Sequence, residues 1–386
     1  MIRRRFLKTS AGLAAAAFAA PAVLSAPGNT QELRLGLIGC GGRGTGAALN
    51  ALRADPHVTL TSMADLFDDQ LQTSLTLLRK QAPERVRVEP PRCLLGFDAY
   101  RKLLSSDVDL VVLATPPVFR PEHLRAAVEA GKHAFVEITL GVDAPGVRSA
   151  MESGEIGARK QLALVSGFCW RYSAALRAAR EEIRAGRIGP LRAVYATYYR
   201  GDLGHKQHAA RGAGMGDLEW QIRDWYSQLW LTGDITILLS GGHSVDKMSW
   251  WLDERMPAKA VAVGSRVYAP QDGNTFDNAF VAYEYADGVR GFLGTRSQPG
   301  CYNENADYMI GATGECTIGR GRVPTITGAN PWRYSGPPDN MYQAEHDQWV
   351  ASIRSGQPIN DIPRMARTTL MAVMGRMAAY LSLIHI

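Results

Sequence analysis

The chain has little cysteine and no pattern in what it has. Cys40, Cys93, Cys169, Cys301 and Cys316 are odd in number, scattered, and never spaced C-x-x-C. That excludes a disulfide-stapled scaffold and a structural zinc module, so no metal site is expected. All five are expected to be buried small apolar residues. Net charge is also scarce. Without Arg3, Arg4, Arg5 and Lys8, the 43 basic residues fall to 39 against 37 acidic ones. No electrostatic footprint for a polyanion is left, which excludes nucleic acid as a partner. Beyond the N-terminus no apolar run approaches the roughly 20 residues of a membrane span. Internal repeats and low-complexity linkers are missing too. What remains is a chain of 386 residues with 46% hydrophobic content, enough for two domains with cores of their own.

Both ends stand apart. "MIRRRFLKTSAGLAAAAFAAPAV" has a basic start, an Ala/Leu apolar stretch and small residues near Ser25–Ala26, the layout of an export signal. Arg3-Arg4-Arg5-Phe6-Leu7-Lys8 fits the twin-arginine pattern R-R-x-F-L-K, with Ile2 where Ser or Thr is usual. Residues 1–26 are read as a twin-arginine signal peptide. The expectations are a periplasmic or otherwise exported protein, the export machinery as partner, and no stable membrane span after cleavage; an uncleaved anchor helix is the other reading. At the far end "LSLIHI" follows an apolar helix-like run where a polar turn is due. Those six residues are what CTG TCT CTT ATA CAC ATC encodes, the start of a transposon end used in sequencing libraries. Residues 381–386 are read as an adapter-derived tail, the native chain continuing differently, and His385 carries no functional weight.

Between the ends, strands and helices alternate. "LRLGLIG" (33–39), "HVTLTSMAD" (57–65), "VDLVVLATPP" (108–117), "HAFVEI" (133–138) and "QLALVSGF" (161–168) are near-continuous apolar strands, with helical runs at 45–54, 97–106, 120–131 and 143–160. This is the pattern of a doubly wound parallel sheet, an α/β Rossmann domain over residues 33–168. After Phe168 the texture changes to a helix ending at Gly189-Pro190, then alternating strands at 191–200 and in "AKAVAVGSRVYA", "NAFVAYEYADGVRGFLGTRS" and "DYMIGATGECTI". Residues 169–380 are expected to form an α+β domain around a mostly antiparallel open sheet, for substrate and oligomer contacts.

"GLIGCGGRG" carries Gly39, Gly41 and Gly44 in G-x-G-x-x-G, with Gly42 and Arg43 inside the loop. It follows a strand and opens a helix, and Asp65 ends the next strand. Backbone N–H groups at such a helix start cradle a pyrophosphate, and the acidic residue takes the ribose hydroxyls. Leu66 and Phe67 follow Asp65, with no Arg or Lys for a 2′-phosphate. NAD(H) is therefore expected over NADP(H). Thr115 and Pro116 end a strand at the carboxyl edge of the sheet, where ligands bind in such folds.

"LGLIGCGGRG", "ADLFDD", "FDAYRKLL", "ATPPVFRPEH", "AVEAGKHAFVE", "GGHSVDKMSWWL" and "EHDQWVASIRSGQPIND" occur in order over about residues 33–380. As a set they resemble the glucose–fructose oxidoreductase / inositol dehydrogenase (Gfo/Idh/MocA) family. The resemblance implies hydride transfer on a sugar or cyclitol, and a homo-oligomer built on the open sheet. It makes Glu137 a cofactor-side and catalytic residue and His243 a catalytic one. The chain departs from the family twice. The Glu-Lys-Pro signature reads Glu137-Ile138-Thr139, so the lysine is lost, and Leu239 stands four residues before His243 where the family often has Asp.

His243 is either a general base or a buried helix-start histidine; Asp246 either orients it or binds a sugar hydroxyl. Trp170, Arg171 and Tyr172 follow the last parallel strand where the domains meet and are substrate candidates. So is His205 in the Gly-rich stretch 201–217, read as a mobile lid. His205 and His208 lack a Cys or carboxylate partner nearby, so no metal is expected there. Trp220, Arg223 and Trp225 either stack on and hydrogen-bond a sugar or pack the domain.

Three readings follow. The first is an oxidoreductase on a sugar, glycoside or cyclitol whose NAD(H) does not dissociate, since an exported enzyme meets no free pool. The second is a redox-neutral NAD-dependent glycosidase or lyase. The third is a degenerate, non-catalytic sugar-binding protein.

Overall fold

A computed structural model describes residues 30–201, 211, 212, 214–268, 273–319 and 323–381. The signal-peptide reading, His205, His208 and residues 382–386 of the tail lie outside the described residues.

Among the described residues, the first half alternates as its apolar pattern requires: β1 (Leu33–Ile38), α1 (Gly42–Ala54), β2 (Val58–Asp65), α2 (Asp68–Gln81), β3 (Cys93–Leu95), α3 (Ala99–Leu104), β4 (Leu110–Leu113), α4 (Arg120–Glu129), β5 (His133–Val136), α5 (Ala144–Arg159) and β6 (Leu164–Ser166). The sheet is parallel, in the order β3-β2-β1-β4-β5-β6. β1, β4 and β5 are apolar because both sheet faces are covered by helices; Leu35, Leu37, Leu110, Val111, Val112, Leu113 and Val136 are fully buried. Chain order reverses between β1 and β4, which opens the crevice where such sheets bind ligands. Register sets its edge. Ile38 pairs with Ala64 and Leu113, Leu113 with Val136, and Val136 with Ser166. The residues that follow these partners, Asp65, Gly39, Ala114, Glu137 and Gly167, therefore stand side by side.

The second half contains α6 (Ala174–Arg184), β7 (Leu191–Arg200), α7 (Asp217–Arg223), α8 (Leu229–Thr232), α9 (Gly241–Trp251), β8 (Lys259–Ser265), β9 (Asn278–Glu284), β10 (Arg290–Ser297), β11 (Glu304–Gly311), β12 (Gly314–Gly319), β13 (Thr325–Gly328), β14 (Trp332–Arg333), α10 (Met341–Arg354) and α11 (Ile362–Leu381). Its sheet runs β14-β13-β12-β11-β7-β10-β9-β8, antiparallel except for the β7–β10 pair. One face packs on α9 and α11; Val194, Ala196, Val281, Tyr283 and Leu293 point into that core. The other face is open.

Two expectations need correction. The division at residue 168 does not hold for the last two helices. α10 returns to the first domain, where Trp349 and Val350 join the core of Leu35, Ala47 and Phe135, and Arg354 pairs with Asp55 at 2.8 Å. α11 belongs to both: Ile362, Met365 and Ala366 pack with the first domain, Met371, Ala372 and Val373 with the second. The thiols are free, but not all buried: Cys301 is exposed and Cys93 half-buried, because they sit in a surface turn and an edge strand. Among the described residues no helix is long and apolar enough to cross a membrane.

Candidate functional site

The glycine loop turns from β1 into α1 in a way only glycine permits at two positions. Gly39 has φ +95°, and a Cβ there would stand 2.7 Å from the backbone of Ala114 and Thr115. A Cβ on Gly44 would stand 1.9 Å from the Gly39 carbonyl oxygen. Gly41 and Gly42 face open space, and the first turn of α1 carries neither a side-chain cap nor an acidic residue. A 13-residue helix thus presents bare N–H groups to a void, a fit for a diphosphate.

That void is a cavity of about 810 Å³ running along the sheet edge past Gly41, Asp65, Phe67, Thr115 and Tyr226. Asp65 anchors one end. Its carboxylate accepts the Cys40 N–H at 2.6 Å and the Phe67 N–H at 2.9 Å. The carboxylate is thereby fixed beside the loop, and burial raises its pKa above the usual range. Thr115 Oγ1 lies 3.1 Å from Nδ1 of His123, whose ring packs on Tyr100 at 4.2 Å. Burial drives the His123 pKa down to about 4 and keeps it neutral.

Next to the loop, Arg43 gathers residues far apart in sequence. Glu137 sits just past β5 and packs so closely on Gly167 that a Cβ there would be 3.0 Å from its carboxylate. Arg43 reaches out of the glycine loop, donates from Nε to Glu137 Oε1, and bonds Glu345 on α10 at 2.9 Å. Arg120 is buried and donates to the Thr139 carbonyl at 2.8 Å. Ile138 is 7% exposed and sits in apolar packing, so no amine stands there.

His243 lies in the first turn of α9, held between Phe168 (edge-on, 5.9 Å) and Tyr198 (stacked, 6.4 Å). Its Nδ1 is buried without a hydrogen-bond partner. An acid four residues earlier would lie one helical turn away, but that residue is Leu239. Burial first, then the positive charges of Lys247, Arg43 and Arg200, lower the His243 pKa to about 3.

Several sequence assignments move. Asp246 does not orient His243. It is 1% exposed and clamped by Arg171 (2.7 and 2.8 Å) and Thr368 (2.9 Å). Arg171 is thereby committed too, with Glu254 as second partner. Tyr172 donates to Asp361 at 2.9 Å. Trp170 packs beside the second core with Lys247 Nζ 4.5 Å from its ring centre, and Lys247 itself pairs with Asp307 at 2.6 Å in the interior. These residues hold the domain junction rather than line an open site. Arg223 goes to the opposite end from His243. It bonds Asp69 at 3.0 Å and Glu219 at 3.0 Å and lies 3.8 Å over the Phe67 ring, beside Asp65. Trp220 and Trp225 line the same cavity.

Two further residues at the site, Glu345 and Tyr198, were missed in the sequence. Glu345 lies in a helix whose pattern does not say which face meets the glycine loop. Tyr198 had a signal that could have found it: in 191–200 it shares the parity of the buried Val194 and Ala196, which places it on the inner face.

No family model matches the chain. It is 28% identical over 193 residues to a dTDP-3,4-didehydro-2,6-dideoxy-α-D-glucose 3-reductase of Actinomadura kijaniata, covering 48% of this chain and 53% of that one. It is 29% identical over 251 residues to a glycosyl hydrolase family 109 protein of Shewanella amazonensis, covering 60% and 50%. The chain thus spans about half the length of these curated relatives. Among solved structures, levoglucosan dehydrogenase in complex with NADH and levoglucosan superposes with a TM-score of 0.72 at 17% identity, covering 92% of this chain and 98% of that one. What this chain shares with that enzyme over nine-tenths of its length is the fold, a parallel α/β sheet joined to an open, mostly antiparallel one.

Proposed function

We propose that the chain is a nicotinamide-dependent oxidoreductase acting on a hydroxyl or keto group of a sugar, glycoside or cyclitol, with NAD(H) held through many turnovers. The observation that carries this reading is the groove itself: a bare helix start, a fixed Asp65 and a cavity that reaches Arg43, which in turn bonds Glu137. The relatives act on sugars by name, which supports the substrate class.

When bound, the nicotinamide supplies a hydride acceptor or donor. The rest falls to the chain. Gly41 and Gly42 leave room for the diphosphate, and Asp65 takes the adenosine ribose. His243 is neutral at working pH. With Nδ1 buried and unpartnered, Nε2 is the nitrogen left to hydrogen-bond a substrate hydroxyl. Tyr198 and Phe168 hold its ring in place. Arg223, bonded across to Asp69, closes the adenosine end from the second domain and supports slow release of the cofactor.

Export in the folded, loaded state reconciles the twin-arginine pattern with a cytosolic cofactor, and the free thiols are compatible with folding before export. Val261, Val263 and Phe280, exposed together on the open sheet face, support a homo-oligomer.

The redox-neutral glycosidase is the second reading, supported by the family 109 relative and by the missing amine at Ile138.

The test is absorbance at 340 nm of the purified protein, given candidate glycosides and no free NAD. A stoichiometric rise marks oxidation by retained cofactor. A transient rise with release of the aglycone marks the redox-neutral route. Protein that carries no nicotinamide after acid extraction, and binds none when it is added, overturns the proposal.

A further inference from the structure

One cation at the inner end of the groove bonds two acids at once. Arg43 is tied through Nε to Glu137 and through its terminal nitrogen to Glu345 at 2.9 Å, and its guanidinium stands 5.1 Å from the Tyr342 ring centre. The three residues come from the glycine loop, the end of β5 and α10. The geometry points to a tuning role: the Arg43 guanidinium, clamped between Glu137 and Glu345, sets the balance between the oxidised and reduced cofactor. This rests on the nicotinamide reading above.

The placement follows from the fold. Asp65 at the end of β2 marks the adenosine side, so the other half of a dinucleotide crosses the switch point toward β4 and β5. Glu137 ends β5, and Arg43 projects toward it. The oxidised nicotinamide ring carries a positive charge and the reduced ring does not. A guanidinium nearby disfavours the first and a bare carboxylate favours it. A carboxylate at the end of β5 alone would pull toward the oxidised form; Arg43 offsets it.

Two neighbouring cations do not serve in its place, and a third, Arg200, stands 6.0 Å from the Tyr198 ring centre. Lys247 is consumed by Asp307, both 1% exposed at the side chain, and Arg120 is buried on the Thr139 carbonyl. Position 138, beside Glu137, is isoleucine. Arg43 is 37% exposed at the side chain, so one side of its charge remains open to a ligand. Glu345 is fully buried, and its Oε2 has no hydrogen-bond partner. Burial raises its pKa well above the usual carboxylate range. Glu345 is therefore the lesser counter-charge to Arg43.

The test measures the affinities of the full chain for NAD⁺ and for NADH separately, by equilibrium binding. Where the cofactor co-purifies, the midpoint potential of the bound couple replaces them. Arg43→Gln is expected to shift the affinity ratio toward NAD⁺ by about tenfold, equivalent to a fall of about 30 mV in the midpoint potential. Arg43→Lys should restore most of it. Glu137→Gln should shift the ratio the opposite way, so the inference stays testable if Arg43→Gln does not fold. Equal weakening of both affinities in Arg43→Gln, the result of a merely structural or phosphate-binding role, overturns it. So does a Glu137→Gln shift of the same sign. If the wild-type protein binds neither form, the nicotinamide reading fails and the tuning role with it.

Discussion

Gly44 and Gly46 are two residues apart in α1 and answer to different constraints. A Cβ at Gly44 would collide with the Gly39 carbonyl oxygen, whereas one at Gly46 meets nothing within 4 Å. Gly44→Ala is expected to abolish dinucleotide retention. Gly46→Ala should leave retention intact and stabilise the protein by about 0.5–1 kcal/mol, the usual gain of Ala over Gly in a helix. Retention by nicotinamide assay and a urea midpoint for each variant check this. His243→Ala should cut turnover by about 10²–10⁴ without changing NADH affinity; a loss of binding instead would assign the ring to the cofactor. His346 makes a pH prediction. It is fully buried, donates from Nδ1 to the Tyr342 carbonyl at 2.8 Å, and has its pKa lowered to about 3, chiefly by burial. In the unfolded chain it titrates near 6.5. Between those values only the unfolded state binds the proton, so its contribution is complete above about pH 6.5 and is lost as pH falls toward 3. His346→Gln should therefore show a smaller drop in urea midpoint from pH 7 to pH 5 than the wild type. The glycine loop and Asp65 were legible because their chemistry is local. The partners of Asp246, Arg171 and Lys247 were not: a charged residue in a sequence does not say whether it faces water, a ligand or another charge.

The joining element at the adenosine end is α7. Its Arg223 bonds Asp69, a residue 154 positions away, and covers Phe67. If this contact slows cofactor release, Arg223→Ala and Asp69→Ala should each speed NADH dissociation measured by stopped-flow displacement. The double variant should be little faster than either, because both remove one interaction. Additive effects would show that the two residues act separately. β1, β2, β4, β5 and β6 were legible from near-continuous apolar runs and β7 to β12 from alternation, whereas α2 and the short edge strands β3, β13 and β14 went unread. The position of α7 was not legible. Aromatics and charges at helical spacing describe a surface that packs somewhere, and a contact over 154 positions depends on how two domains meet.

At the scale of the whole molecule α10 completes the first domain and α11 is shared by both. Trp349 is fully buried in the first core, with its indole N–H 3.4 Å from the Ala163 carbonyl. Trp349→Ala is expected to cost about 3–5 kcal/mol in a urea titration and to weaken cofactor retention, since α10 also carries Glu345. A destabilised protein with unchanged retention would separate the two roles. The division read near residue 168 followed the change of texture correctly, but texture does not reveal that a later amphipathic helix fills a gap left in an earlier domain.

That late helix imposes an order on biogenesis. The parallel sheet emerges from the ribosome first, yet its core keeps an opening over α1 until residues 341–354 have been made. Until then the glycine loop has Glu137 but not Glu345 to hold Arg43. The nascent N-terminal half is therefore a half-closed vessel, open to chaperones and unable to finish the inner end of its groove. Completion comes only when residues 341–354 are out, and on the nicotinamide reading the cofactor then loads after α10 has been made rather than after the first half.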